Sequence, residues 1–167
     1  MKGIKGSVFL LLLLCFAVLL SGCTSKKTTP QELIEAICNA ENGLPAGRFY
    51  VLSAQADDAK HPSDIWLGAM FGNGKMPSAL ALVEDAAFFA SYTQPCEFAV
   101  FLCKTSNATK AVSEMCLHRL DSLKLYREGE KDSAPLQNAG VTVRGKWVFL
   151  YVCNDPQEVL RAIRRTL

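Results

Sequence analysis

The sequence predicts an α+β domain: an antiparallel β-sheet with a β-β-α-β-β-α core, helices packed on one face of the sheet, and short helices ahead of it. Three observations lead there. Two short apolar runs, Ala86 to Ser91 and Glu97 to Cys103, are divided by a Gln94-Pro95 turn. A long segment after Asn107 repeats Ala108, Val112, Met115, Cys116, Leu120 and Leu123 at three- and four-residue steps, the period of an amphipathic helix. A second pair of strand-like runs flanks Arg144-Gly145-Lys146 and leads into Asp155-Pro156, which opens a helix.

From the N-terminus, Met1 to Gly6 supplies a basic start and Val8 to Leu20 an almost unbroken apolar run, the n- and h-regions of a signal peptide. At ~1.5 Å per residue such a run reaches ~20 Å as a helix, short of the ~30 Å hydrocarbon core of a bilayer. Leu20-Ser21-Gly22-Cys23 resembles the lipobox of bacterial lipoproteins, with cleavage between Gly22 and Cys23 and lipid on the Cys23 thiol. The resemblance implies a diacylglyceryl anchor at the outer face of the cell membrane, and two acyl chains hold stably where one does not. The expected organisation is a signal peptide over 1–22, a polar tether over 23–29 and a single domain over 30–167.

Removing residues 1–22 takes away Lys2 and Lys5 and no acidic side chain, so the formal charge falls from +2 to zero. That excludes the electrostatic footprint of a nucleic-acid binder. Cys38, Cys96, Cys103, Cys116 and Cys153 remain in the domain. An odd number cannot all pair internally, and four of the five sit inside apolar patterns, so they read as small buried hydrophobes. If the ends of their strands are neighbours, Cys103 and Cys153 are the candidate disulfide. No CxxC is present, and His61 and His118 stand far from any cysteine pair, so no zinc site or redox dithiol is expected.

Within the domain, Thr29-Pro30-Gln31-Glu32 reads as a capping box with proline at the first helical position, and Leu33, Ile34 and Ile37 share one face of a helix reaching about Asn39. Arg48 to Leu52 has strand-like content. Ser63-Asp64 caps a short helix carrying Ile65, Leu67 and Met70, closed by Gly72-Asn73-Gly74. Ser78 to Val83 is compatible with helix or loop. Phe88, Phe89, Phe98, Val100 and Phe101 suffice to fill one side of a helix-covered sheet, and Asn107 is the expected cap of the long helix. After a polar loop around Glu128 to Pro135, Val141 to Val143 and Trp147 to Val152 form a hairpin, and Val159, Leu160 and Ile163 make the buried stripe of the last helix.

On Glu97-Phe98-Ala99-Val100-Phe101, Arg119-Leu120-Asp121, Tyr126 and the run Val141-Thr142-Val143-Arg144-Gly145-Lys146-Trp147-Val148, the chain resembles the small lipoproteins of clostridial-type bacteria that carry domain of unknown function number 4358. The resemblance covers roughly residues 63–165. It implies the fold and the envelope location and lends no activity.

No catalytic constellation is legible. His118 falls beside the buried stripe of its helix and His61 precedes a proline in a loop, so both read as solvated surface residues. Asp57-Asp58 and Glu84-Asp85 lie in polar segments without a calcium-loop pattern. Arg119 and Asp121, two apart on a helix, cannot face each other, so each is expected to tether a neighbouring element. Gly72-Asn73-Gly74-Lys75 is too short for a P-loop, and Asn107-Ala108-Thr109, though a sequon, serves better as a helix cap.

The expected function is therefore that of a membrane-anchored module, without catalytic residues, metal or cofactor, that binds an envelope protein, polymer or small ligand. Its ligand site is unassigned, and exposed members of Phe49, Tyr50, Trp66, Phe71, Tyr92 and Trp147 would mark it. The competing class, a cysteine-dependent envelope enzyme or redox protein, requires an accessible thiol beside a cation, with Cys96 and Cys153 the nearest candidates. A third reading makes the domain a spacer or assembly subunit whose Arg161-Ala162-Ile163-Arg164-Arg165 end lies toward anionic headgroups; cations there also complement a helix dipole.

Overall fold

The computed structural model describes residues 27–41, 43–130 and 133–167. The expected signal peptide, the expected Gly22–Cys23 cleavage site and the expected tether as far as Lys26 lie outside the described residues.

The first helix, α1 (Pro30–Ala40), begins at the expected capping box: the Thr29 hydroxyl accepts from the Glu32 N–H, and the Glu32 carboxylate accepts from the Thr29 N–H at 3.1 Å. An edge strand β1 (Gly47–Val51) follows, then α2 (Asp64–Phe71), capped by the Ser63 hydroxyl. Ser78–Leu82 forms a single 3-10 helix, short and half-exposed, which is why its pattern matches neither a helix nor a loop. β2 (Val83–Ser91) and β3 (Glu97–Cys103) make the expected antiparallel pair. The long helix α3 (Thr109–Tyr126) buries Val112, Met115, Cys116, Leu120 and Leu123. A short α4 (Ala134–Gln137) precedes the hairpin of β4 (Gly140–Arg144) and β5 (Trp147–Val152), whose turn places Gly145 at φ +59°. Asp155 caps α5 (Pro156–Thr166) by accepting from the Gln157 and Glu158 amides.

One cap differs from expectation. Asn107 is exposed within a 3-10 turn (Ser106–Ala108), and it is the Thr105 hydroxyl that accepts from the Ala108 N–H. The preliminary turn moves the cap two residues upstream.

All strands join one antiparallel sheet in the order β1-β2-β3-β5-β4. The α+β class stands, but helices cover both faces rather than one. Toward α2 and α3 the sheet presents Ala86, Phe88, Ala99, Phe101, Cys103, Val148, Leu150 and Val152. Toward α1 and α5 it presents Ala87, Phe89, Phe98, Val100 and Phe149. β3 is the centre of a three-layer sandwich, buried along its whole length. Its unbroken apolar run is the signature of a strand covered on both sides, where a half-exposed strand would alternate.

Lys27 and Thr28, the end of the expected tether, are seated on the domain. Thr28 Oγ1 donates to the Thr166 carbonyl at the end of α5 (3.4 Å), and Lys27 Nζ pairs with Glu84 Oε1 at the start of β2 (2.9 Å). The chain therefore enters at the end of the sheet where β2 begins and α5 finishes. Among the described residues no helix is long and apolar enough to cross a membrane.

Candidate functional site

At the opposite end of the sheet, where β2 finishes and β3 begins, the fold opens into a cleft of about 330 Å³. That is the lower range of small-ligand sites. Tyr50 comes from β1, Trp66 and Met70 from α2, Ser91 and Tyr92 from the end of β2 and the residue after it, Glu97 from the start of β3, Arg119 and Tyr126 from the C-terminal half of α3, and Arg127 from its C-cap. These segments are remote in sequence, and the order β1-β2-β3 with α2 and α3 laid over one face brings them together.

The polar floor is the pair Glu97–Arg119. Arg119 donates Nε to Glu97 Oε2 at 3.0 Å and Nη2 to Oε1, a two-pronged contact between side chains that are only 11% and 12% exposed. Arg119 thus ties α3 to β3, as its position predicts, whereas Asp121 is exposed. A guanidinium carries five N–H donors and this contact uses two, so the pair can hold its place and still offer hydrogen bonds to a polar ligand.

The walls are aromatic. Tyr50 lies against Trp66 with ring centroids 4.4 Å apart, and the Arg48 guanidinium sits 5.4 Å from the Tyr50 ring centre. Trp66 is anchored in turn by Phe88 (5.4 Å) and Phe71 (6.4 Å), both buried. At the mouth, Tyr92 is 66% and Tyr126 86% exposed, large rings presented to solvent rather than folded into the core. Of the aromatic residues marked in the sequence, Tyr50, Trp66 and Tyr92 meet here. Phe71 is buried in the core, while Phe49 and Trp147 pack against the other face of the sheet.

Sequence reasoning did not assign Glu97, Tyr126 or Arg127 to a site. The available signal was Glu97 itself, a carboxylate adjoining an apolar run that is buried throughout, because a charge so placed requires a partner. Another concavity, about 510 Å³ and more open, lies between Pro77–Leu82 and α3. Its charged or titratable groups, Glu114 and His118, are both exposed, so it lacks a polar group held in place by burial.

The cysteines answer the competing class. All five are free and buried, so the thiol accessibility required of Cys96 or Cys153 is not met. Burial, reinforced by Glu41 and Glu97, pushes the Cys96 thiol up to about 12. Burial, then Glu41 and Cys96, pushes Cys153 up to about 12 as well. Burial also raises Cys38, Cys103 and Cys116. A reactive cysteine needs the reverse shift, because the thiolate is the nucleophile.

The suggested Cys103–Cys153 disulfide fails on topology. Cys103 packs toward α3 and Cys153 toward α1 and α5, at opposite ends of the β3–β5 ladder. His118 is exposed as expected, but His61 is half-buried, with Nδ1 3.0 Å from the Ala54 carbonyl, where it pins the loop after β1. Among the described residues no group of three or more His, Cys, Asp or Glu side chains is placed to hold a metal ion.

No family model matches the chain, and no curated protein or solved structure matches it either.

Proposed function

We propose that the protein is a lipid-anchored lipoprotein of the outer face of the cell membrane, related to those carrying domain of unknown function number 4358, and that it binds a glycan-like envelope ligand without catalysis. The observation that carries the binding reading is the cleft: Tyr50, Trp66, Tyr92 and Tyr126 stand around the buried Glu97–Arg119 pair. Ring faces accept the flat apolar face of a sugar, while a held carboxylate–guanidinium pair offers acceptors and donors to hydroxyl and acetamido groups. Residues that carry the family resemblance, Glu97, Arg119 and Tyr126, belong to this cleft. Support for the anchor comes from Leu20-Ser21-Gly22-Cys23.

The test is titration of the protein with the N-acetylglucosamine trisaccharide, followed by Trp66 fluorescence and calorimetry. A saturable signal with Kd below about 1 mM is expected, with affinity reduced about tenfold in Tyr92→Ala and Tyr126→Ala. Both rings are exposed, so neither change should disturb the fold. No heat and no fluorescence change, or equal binding by both variants, would refute the glycan reading. Intact mass of the mature chain tests the anchor through a diacylglyceryl group on Cys23.

A further inference from the structure

We infer that the end of the domain opposite the cleft is a docking surface for anionic lipid headgroups, so that the cleft is held pointing away from the bilayer. The inference rests on the anchor at Cys23 proposed above and adds to it an orientation and a lipid class. The first support is where the tether ends. Thr28 bonds the last turn of α5 and Lys27 bonds Glu84, so the chain leaves the domain at one defined corner. From Cys23 to Lys27 is a reach of at most ~14 Å, which keeps this corner near the headgroups.

Charge is the second support. The same end gathers Lys27, Lys104 after β3, Arg144 and Lys146 at the β4–β5 turn, and Arg164 and Arg165 in the last turn of α5, all of them exposed. Three of them are neighbours in space: Lys146 Nζ donates to the Lys104 carbonyl (3.0 Å), and the Glu84 carboxyl is held below its ordinary value by Lys27 and, more weakly, by Lys146; the last turn of α5 joins this end through the Thr28–Thr166 hydrogen bond. Acidic groups at this end are Glu84, paired with Lys27, Glu32, tied into the capping box that starts α1, exposed Glu35 one turn further along α1, and Asp57, Asp58 and Asp85 on the β1 side, so the cations gather toward β3, β5 and the end of α5. The cations of α5 thus do more than complement a helix dipole, because Lys104, Arg144 and Lys146 at the same end of the sheet add to them, while Lys27 is offset by Glu84. Net charge is uninformative here, since it averages the basic end with a far end where Glu97 is paired with Arg119 and Glu130 with Arg127.

Distance is the third. β2 runs from Val83 at the tether end to Ser91 at the cleft, a rise of ~26 Å. A domain seated on its basic end carries the cleft outward by about that much.

The test uses the full chain matured in a bacterial host and reconstituted into vesicles of phosphatidylcholine, with or without phosphatidylglycerol, and read by hydrogen-exchange mass spectrometry. On phosphatidylglycerol vesicles, exchange around Cys103–Thr105, Arg144–Trp147 and Arg161–Leu167 should slow about tenfold, while 90–97 and 119–127 are unchanged. Each basic residue near an anionic surface raises the docked population about fivefold, so K146E/R164E/R165E should abolish the slowing. Salt near 1 M, where the screening length is ~3 Å, should abolish it in the unaltered chain, which keeps the test decisive should the variant misfold.

Identical exchange on both vesicles by a chain whose mass shows lipid on Cys23 would overturn the inference and leave the anchor standing. Slowing confined to the cleft end would overturn it in favour of a headgroup bound in the cleft. An unlipidated Cys23 would overturn the anchor, and this inference with it.

Discussion

Replacing Arg119 with methionine leaves the Glu97 carboxylate at the start of β3 without the guanidinium that holds it by two hydrogen bonds. Removing one partner of a buried ion pair costs about 3–5 kcal/mol, because the remaining charge has lost its water and gained nothing. Water from the cleft still reaches 11% and 12% of the two side chains and can solvate the remaining charge in part, so the lower part of that range applies, about 3 kcal/mol. For a domain of this size that is a fall in Tm of roughly 10 °C. Glu97→Leu should cost a similar amount. The double variant, Glu97→Leu with Arg119→Met, removes both charges together and should return to within about 1 kcal/mol of the parent. Urea unfolding of the four proteins gives the coupling energy directly. A cost below about 1 kcal/mol for Arg119→Met, or a double variant equal to the sum of the singles, would refute the pair as a buried tether of α3 to β3.

Alkaline stability follows from the thiols. Burial raises all five above their ordinary value, Cys96 and Cys153 to about 12. Such a group stabilises the fold fully below its unfolded value of about 8.5, and this contribution is lost as pH rises toward the folded value. Unfolding free energy should therefore fall between pH about 8.5 and 12, by up to ~1.4 kcal/mol per pH unit for each thiol. Cys116→Ala, at a fully buried position, should cost about 1 kcal/mol at pH 7 and make the alkaline slope shallower; equal slopes in the two proteins would refute the account. The same five cysteines should resist maleimide in the native protein and react in denaturant without reductant, whereas thiols appearing only after reduction would mean a disulfide. Gly72→Ala should destabilise by about 2 kcal/mol, because the new Cβ would overlap the Lys75 carbonyl oxygen. Gly129→Ala, with open space at that position, should change the midpoint of the same melt by almost nothing.

The termini of elements were legible because caps are local. Thr29 with Glu32, Ser63 with Trp66, and Asp155 with Gln157 and Glu158 each meet within three residues, so the motif and the contact are the same short string. Thr105 was missed for Asn107 because a 3-10 turn intervenes, and such a turn leaves no periodic mark. The buried stripes of α1, α3 and α5 were legible from spacing alone. The second covered face was not. A strand buried on both sides is apolar at every position, so β3 carries no alternation to say which side its helices occupy.

The cleft was still less accessible to sequence reading. Tyr50, Trp66, Tyr92 and Arg119 belong to segments whose approach depends on strand order and on which helix lies over which face. Likewise Cys103 ends one strand-like run and Cys153 follows another, and only the β3–β5 register puts them at opposite ends. The amino-acid sequence by itself determined the α+β class, the caps at Thr29, Ser63 and Asp155 and the hairpin, all of which rest on contacts or spacings within a few residues; the export and lipidation expected at Cys23 rest on the sequence alone. The tertiary structure decided the two-sided sheet, the burial of the thiols, the Glu97–Arg119 pair and the separation of a basic end from an aromatic cleft. Those depend on pairings between distant segments, whose partners are selected by the packing of the whole core.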